Sequence, residues 1–218
     1  MNNRTAVLIG STGLIGQEVL NELLEDPDFS TVRILVRKPV SITHPKLQVM
    51  VVDFDDENDY KQKTGTGDSV FCCVGTTQKK VKGDLDAYER VDFLIPLNAA
   101  RFAKEAGFRC YALISSVGAD DQAKNFYLRL KGKTEKAIVG VHLPATHIFR
   151  PSILLGDRRE SRLGEEAAKK IMQGLSFALA GGLSKYKPIH AANVAEAMVR
   201  LSKKDDEGVF IHHYAEMK

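Results

Sequence analysis

Two residue patterns in this chain are suited to chemistry, and the first pairs a tyrosine with a lysine. Tyr127 and Lys131 stand four residues apart in a segment with helical periodicity, so their side chains share one helix face. A tyrosine that donates or accepts a proton needs its pKa lowered from about 10, and a nearby ammonium does so electrostatically. Because the same spacing occurs by chance in many helices, its meaning depends on the elements around it.

Two serines strengthen the catalytic interpretation of this pattern. Ser115 and Ser116 follow a predicted strand and precede Tyr127 by about a dozen residues. A serine hydroxyl at that point can orient a substrate carbonyl beside the tyrosine. With this strand and a nucleotide-binding loop upstream, Tyr127 and Lys131 are interpreted as a proton-transfer pair.

The second pattern is a run of glycines, spaced G-x-x-G-x-x-G, between an apolar segment and a helix. Gly10 allows a sharp turn, Gly13 lets a pyrophosphate approach the backbone, and Gly16 lets the helix pack closely on the sheet. The free N–H groups and the positive end of the helix then attract phosphate. A plain turn is the alternative, but the strand–helix context favours a dinucleotide site.

The residues that follow the next strands indicate which nicotinamide cofactor the site would bind. Arg37 and Lys38 end the second strand, where an NAD-specific site carries Asp or Glu, so NADP(H) is favoured over NAD(H). A solvated strand end is the alternative. Asp53 and Phe54 are expected near the adenine, where Asp53 either accepts from the exocyclic amine or caps a turn. Gly75, at the end of the fourth strand, lets the nicotinamide half pass over the backbone.

Alternating apolar strands and amphipathic helices position these residues, and they predict an α/β fold with a Rossmann-type, doubly wound parallel sheet. Residues 1–150 are predicted to form the NAD(P)-binding core, and residues 151–218 a small substrate-side segment packed on the same domain. The principal predicted strands are Ala6–Ile9, Val32–Val36, Leu47–Val52, Ser69–Val74, Tyr111–Ile114, Thr146–Phe149 and Gly208–His212. The principal predicted helices are Leu14–Glu25, Tyr88–Ala106 with a kink or break at Pro96, Phe126–Val139, Glu165–Leu179 and Ala192–Ser202.

Composition narrows the classes of function. The 218 residues carry a net charge of +3 with scattered cations, which argues against nucleic acid as a partner. No apolar run reaches the length of a membrane span, and the first strand starts too early for a signal peptide. The three cysteines are interpreted as buried, reduced thiols, so a cytoplasmic location is expected. His212 and His213 lack partner ligands in the sequence, so no metal site is expected.

Taken together, three segments resemble the short-chain dehydrogenase/reductase superfamily: Gly10–Gly16, Ser115–Ala119 and Tyr127–Lys131. Val74–Thr77, Ser115–Asp120 and especially Phe149–Arg162 are similar to its atypical branch, the Tat-interacting-protein oxidoreductases. The resemblance implies that Tyr127 is the proton donor, assisted by Lys131, with Ser116 favoured over Ser115 as the site serine. It also implies cofactor contacts at Thr12, Gly13, Leu14, Ile15, Arg37, Lys38, Val74, Gly75, Leu154 and Arg162.

The sequence therefore predicts an NADP(H)-dependent oxidoreductase that acts on a small carbonyl or alcohol, as a monomer or homodimer. The alternative is an NADPH-binding regulatory or redox-sensing protein that acts through a protein partner without turnover. A sugar-nucleotide epimerase is less favoured, because the segment after residue 150 is small for a nucleotide sugar.

Overall fold

A computed structural model describes residues 3–77, 81–156 and 181–218 of the chain. Its strands follow the chain in this order: β1 (Arg4–Ile9), β2 (Phe29–Val36), β3 (Leu47–Val51), β4 (Ser69–Cys72), β5 (Cys110–Ile114), β6 (Ala145–Phe149), β7 (Leu154–Leu155), β8 (Ile189–His190) and β9 (Gly208–His212).

Among the described residues, seven of these strands form one sheet in the order β3-β2-β1-β4-β5-β6-β9, with every neighbouring pair parallel. The strand order runs outward in opposite directions from β1 and β4, which is the topological switch point where doubly wound sheets bind ligands. The short strands β7 and β8 pair separately in a second parallel sheet. The predicted Rossmann-type fold is confirmed.

Helices cover both faces of this sheet. They are α1 (Leu14–Glu25), α2 (Glu57–Thr64), α3 (Leu85–Glu89), a π-helical turn (Arg90–Leu94), α4 (Ile95–Glu105), α5 (Phe126–Val139), a 3-10 turn (Gly181–Tyr186), α6 (Ala191–Ser202) and α7 (Tyr214–Met217).

Strand β1 shows how two cores arise from one apolar run. Ala6 and Leu8 pack into a cluster with residues of α1 and α6, whereas Val7 and Ile9 pack into a second cluster with residues of α4. Alternate side chains of a strand point to opposite faces, so a central parallel strand must be apolar throughout. The sheet is thereby fixed between two helical layers, and its carboxyl edge becomes a rigid platform.

The helix predicted over Tyr88–Ala106 continues through Pro96 but is distorted into a π-helical turn just before it. The structure has α3, the π-helical turn and α4 in succession, and Pro96 lies in the first turn of α4. Proline lacks the N–H that a helix interior requires, so it is tolerated where that N–H has no partner within the helix. The wider π-helical turn precedes the proline and brings Asp92 into the protein interior.

The segment after residue 150 contributes to the same framework. Strand β9 extends the main sheet by pairing with β6, and α6 shares the core cluster of α1. The helix predicted over Glu165–Leu179 lies outside the described residues. Among the helices that are described, none combines the length and apolar character needed to cross a membrane.

Candidate active site

A cleft of about 540 Å³ opens at the carboxyl ends of β1, β2 and β4. Its walls include eight residues predicted to bind a cofactor: Gly10, Thr12, Gly13, Arg37, Lys38, Phe54, Val74 and Gly75. Ser11, Thr76, Val91 and Ile95 also line it, although the sequence patterns did not single them out as site residues. The position of the cleft beside β1 and β4 coincides with the switch point of the sheet.

Two glycines make the loop before α1 possible. Gly10 has a φ of +87°, and a Cβ there would lie 2.7 Å from the carbonyl carbon of Cys73. A Cβ on Gly16 would lie 2.0 Å from the carbonyl oxygen of Gly10. Neither position accepts a side chain without movement of backbone, so the loop is held tightly between β4 and α1.

Gly13 differs from both, because it faces the cleft and is exposed. It is the N-cap of α1 and supplies no side-chain cap, and no acidic residue lies in the first helical turn. The first N–H groups of α1, at Leu14, Ile15 and Gly16, have no partners within the helix. None of these three residues lines the cleft, so any contribution that they make to binding would come from their backbone N–H groups.

Arg37 and Lys38 lie at the rim of the cleft, directly after β2. Both are exposed, and neither forms an ion pair or hydrogen bond with another residue in the described part of the chain. Their charges are therefore available to an anion bound in the cleft.

Phe54 and Asp53 have different surroundings. Phe54 lines the cleft and packs edge-on against Tyr60, with 4.7 Å between ring centroids. The carboxylate of Asp53 accepts the backbone N–H of Asp55 at 3.0 Å, and its own N–H donates to Asp59. Asp53 is not part of the cleft wall, and its contacts are those of the turn cap that the sequence left open as an alternative.

Tyr127 and Lys131 lie on one face of α5, as their spacing predicted. The helix begins after Asn125, whose side chain accepts the N–H of Leu128 at 3.1 Å. Tyr127 is 37% exposed, whereas Lys131 is 5% exposed, and the lysine Nζ lies 5.9 Å from the centre of the tyrosine ring. A solvent-accessible phenol thus stands beside a buried ammonium.

The partner of Lys131 is Asp92 in the π-helical turn, which sequence reasoning missed. Asp92 Oδ1 lies 2.9 Å from Lys131 Nζ, and Asp92 Oδ2 accepts the backbone N–H of Thr76 at 2.8 Å. Burial disfavours the charged lysine, but the adjacent Asp92 carboxylate outweighs it and raises the pKa of Lys131. An acidic residue within an otherwise apolar helical stretch was the available signal.

The two serines have distinct environments. Ser115 is buried and donates its hydroxyl to Glu135, whose carboxylate also accepts from Arg150 Nε at 3.0 Å. Ser116 is partly exposed, and its hydroxyl makes a local bond of 3.3 Å to the Val117 carbonyl. Ser115 is thus committed to a buried cluster, whereas Ser116 retains a hydroxyl that can turn toward a ligand.

Gly132 explains how closely α5 approaches the segment after the serines. A Cβ at this position would lie 2.2 Å from the backbone carbon of Asp120. Tyr127, Lys131 and Glu135 follow one another at intervals of four residues, so their side chains lie along one side of α5. The close approach at Gly132 holds this helix against the segment that follows the serines.

The remaining predicted contacts lie elsewhere. Leu154 is half-buried in β7, where it pairs in register with Ile189, and it does not line the cleft described above. Arg162 lies outside the described residues.

Comparisons with known proteins agree with this architecture. The sequence profile of a family described as NAD(P)H-binding matches residues 10–205. The chain is 34% identical to protein HTATIP2 of Rattus norvegicus, over 84% of this chain and 76% of that protein. It is 32% identical to the mitochondrial protein FMP52 of Debaryomyces hansenii, over 92% of this chain and 88% of that protein.

Solved structures resemble the fold at much lower identity. A UDP-N-acetylglucosamine 4-epimerase from Methanobrevibacter ruminantium, in complex with UDP-N-acetylmuramic acid, superposes with a TM-score of 0.71 and 16% identity. That match covers 98% of this chain and 77% of the epimerase. MoeE5, in complex with UDP-glucose and NAD, has a TM-score of 0.70 and 15% identity over 95% of this chain and 74% of its own. The predicted NAD(P)-binding family is confirmed by the family profile and by the relatives above, and the solved structures support the fold.

The expected cytoplasmic location is wrong, because several FMP52 relatives are named as mitochondrial proteins. The expectation rested partly on the cysteines, which are free at Cys72, Cys73 and Cys110. Free thiols indicate a reducing environment and do not identify one compartment.

Proposed function

Since this chain belongs to the family described as NAD(P)H-binding, we propose that it is an NADP(H)-dependent oxidoreductase of the short-chain dehydrogenase/reductase type. Its substrate would be a small molecule that carries a carbonyl or alcohol group.

One observation carries this proposal: a hydrogen bond and an ion pair connect the wall of the cleft to Lys131, which neighbours Tyr127 on α5. Thr76 lines the cleft, its N–H donates to Asp92, and Asp92 pairs with Lys131. Tyr127, Lys131 and Ser116 are not part of the cleft wall, but a ligand that extends from the cleft past Thr76 would approach them. A glycine loop or a Tyr–Lys pair alone is weak support for a reaction, and their connection at one sheet edge strengthens the proposal.

The residues of the cleft fit a dinucleotide. Gly13 leaves room for a pyrophosphate, and the uncapped start of α1 offers N–H groups and a positive dipole end. Val74 and Gly75, after β4, would lie beneath the nicotinamide half. Bound nicotinamide would supply or accept the hydride.

The protein's own residues would manage the proton and the substrate. Tyr127 would donate its proton to the carbonyl oxygen during reduction, or accept it from the alcohol during oxidation. The Ser116 hydroxyl would orient that oxygen. Lys131 would hold the ribose and stabilise negative charge on the tyrosine.

Arg37 and Lys38 favour NADP(H) over NAD(H). They are unpaired cations at the rim of the cleft, within the described residues, and a 2′-phosphate would complement them. Removal of both side chains, in Arg37→Ala/Lys38→Ala, should weaken NADPH binding at least about tenfold, since each charge-assisted bond contributes about 1.5–3 kcal/mol before solvent screening.

The test is a fluorescence titration of the purified protein with NADPH and, separately, with NADH. The matched control is Arg101→Ala/Lys104→Ala, which removes the same charge from the exposed face of α4, outside the cleft. We expect the control to bind like the wild type and the Arg37/Lys38 variant to lose NADPH selectively. Equal affinity of the wild type for both cofactors would refute the 2′-phosphate assignment, and no binding would refute the enzyme proposal.

Turnover is tested by Tyr127→Phe, with consumption of NADPH measured against a panel of small aldehydes and ketones. The variant should bind NADPH normally and lose activity at least about a hundredfold, the usual contribution of a positioned acid. Should NADPH bind tightly while neither wild type nor variant turns over any carbonyl, a regulatory NADPH-binding protein with a protein partner becomes the better description.

A further inference from the structure

Thr76 is a polar residue of the cleft wall that belongs neither to the glycine loop nor to the Tyr127–Lys131 pair. It follows Gly75 in the segment after β4, and it is partly exposed. Its backbone N–H and carbonyl are both bonded, but its hydroxyl forms no hydrogen bond within the part of the chain that the structure describes. The fold therefore leaves the hydrogen-bonding capacity of this side chain unused.

Two interior side chains hold the backbone of Thr76. Its N–H donates to Asp92 Oδ2 at 2.8 Å, and its carbonyl accepts the Tyr88 hydroxyl at 3.2 Å. Both partners are buried. Because the two backbone groups bond to the protein interior, the hydroxyl is the polar group that Thr76 can offer to a ligand in the cleft.

The two partners are themselves held in place. The Asp92 carboxylate lies 2.9 Å from Lys131 Nζ, and the Tyr88 ring packs edge-on against Phe126 with 5.5 Å between ring centroids. Burial, together with the Asp92 charge, raises the pKa of Tyr88 to about 12, so this phenol remains a donor near neutral pH. A hydroxyl on a backbone that is already fixed loses little conformational freedom when it binds a ligand.

The order of the strands indicates which half of a dinucleotide Thr76 would meet. Arg37 and Lys38 follow β2, Gly13 follows β1, and Thr76 follows β4, and these three strands are neighbours in the order β2-β1-β4. A cofactor with its 2′-phosphate beside the two cations and its pyrophosphate beside Gly13 must extend its nicotinamide half toward β4. Thr76 lies at that end of the cleft.

We propose that Thr76 is a further cofactor-binding residue, whose hydroxyl forms a hydrogen bond with the nicotinamide half of NADP(H). This inference rests on the proposed function and adds a contact to it. The nicotinamide half carries ribose hydroxyls and a carboxamide, and a threonine hydroxyl can donate to or accept from either. The two residues that precede Thr76 in the wall cannot replace it, because Val74 is apolar and Gly75 has no side chain.

The experiment compares NADPH with adenosine 2′,5′-bisphosphate, which keeps the 2′-phosphate and lacks the nicotinamide half. The proteins are the wild type, Thr76→Val, Thr76→Ser and the control Thr66→Val. Valine keeps the volume and the branched Cβ of threonine and removes the hydroxyl, whereas serine keeps the hydroxyl. The control removes the same group from an exposed bend outside the cleft wall. Fluorescence reports NADPH binding, and calorimetry reports binding of the bisphosphate.

We expect Thr76→Val to bind NADPH about three- to tenfold more weakly than the wild type, which is the usual effect of one neutral hydrogen bond. Its affinity for the bisphosphate should be unchanged, because that ligand does not reach Thr76. Thr76→Ser and the control should bind both ligands like the wild type. Without ligand, all four proteins should unfold at the same temperature, since the backbone bonds of Thr76 do not depend on its hydroxyl.

Three results would overturn the proposal while the proposed function stands. They are unchanged NADPH affinity in Thr76→Val, an equal loss of affinity for both ligands, and a failure of Thr76→Ser to restore NADPH binding. The first removes the contact, the second places it outside the nicotinamide half, and the third assigns the effect to a group other than the hydroxyl. Absence of NADPH binding by the wild type would instead refute the proposed function, and this contact with it.

Discussion

Alanine at two glycines of the same loop should separate folding from binding. In Gly16→Ala the new Cβ would lie 2.0 Å from the Gly10 carbonyl oxygen and 3.0 Å from the Ser11 Cα. Both are backbone atoms, so α1 must retreat by more than an ångström. Overpacking of this kind costs about 3 kcal/mol at the upper end of its usual range, which lowers Tm by about 6–12 °C in a chain of this size.

Gly13→Ala places its Cβ 3.3 Å from the same oxygen, a contact that small adjustments relieve. The loss of a glycine N-cap adds about 1 kcal/mol or less, so Tm should fall by only about 2–4 °C. The methyl group enters the cleft where a pyrophosphate would approach, so NADPH should bind at least about tenfold more weakly.

The assays are thermal unfolding without ligand and NADPH titration of each folded variant. The expected pattern is a large loss of Tm in Gly16→Ala and a loss of affinity with little loss of Tm in Gly13→Ala. Equal unfolding temperatures for the two variants would refute the assignment of close packing to Gly16. Unchanged NADPH affinity in Gly13→Ala would refute the assignment of the phosphate site.

Two further predictions concern stability. Arg150→Met leaves the Glu135 carboxylate buried without its cation and should cost about 3 kcal/mol by urea unfolding, whereas Lys61→Met, which breaks an exposed pair, should cost about 1 kcal/mol or less. Burial, helped by the charge of His212, lowers the pKa of His147 to about 4. As the pH falls, this histidine is therefore protonated in the unfolded chain before it is protonated in the folded protein. The free energy of unfolding decreases as the pH drops from 6.5 toward 4. The full effect is on the order of 3 kcal/mol, and His147→Phe should flatten the stability profile over that range; an unchanged slope would contradict this assignment.

Local sequence patterns predicted much of the fold. The bounds of α1 and α5 match the predicted Leu14–Glu25 and Phe126–Val139. Each helix has a continuous apolar face and a residue that marks one of its ends. Asn125 is the N-cap of α5, and Asp26 is the C-cap of α1. Information of this kind lies within a few residues of the boundary, so a single sequence contains it.

Contacts between segments that are far apart in the sequence could not be predicted. Asp92 lies in a π-helical turn and pairs with Lys131 across 39 residues of chain, and no local sequence pattern predicts either the turn or the pair. The same holds for Glu135, whose bond to Ser115 removes one of two adjacent serines from consideration. The sequence pattern alone left that choice open, and the resemblance to a family favoured Ser116.

The position of β9 has a consequence for the chain while it is being synthesised. β6 ends at Phe149, but the strand that covers its outer edge begins only at Gly208. A nascent chain therefore carries an open, apolar sheet edge throughout translation of the intervening residues, and such edges pair readily with other chains. A chain that terminates within this interval would leave that edge unpaired, so we expect it to aggregate more readily than the full chain.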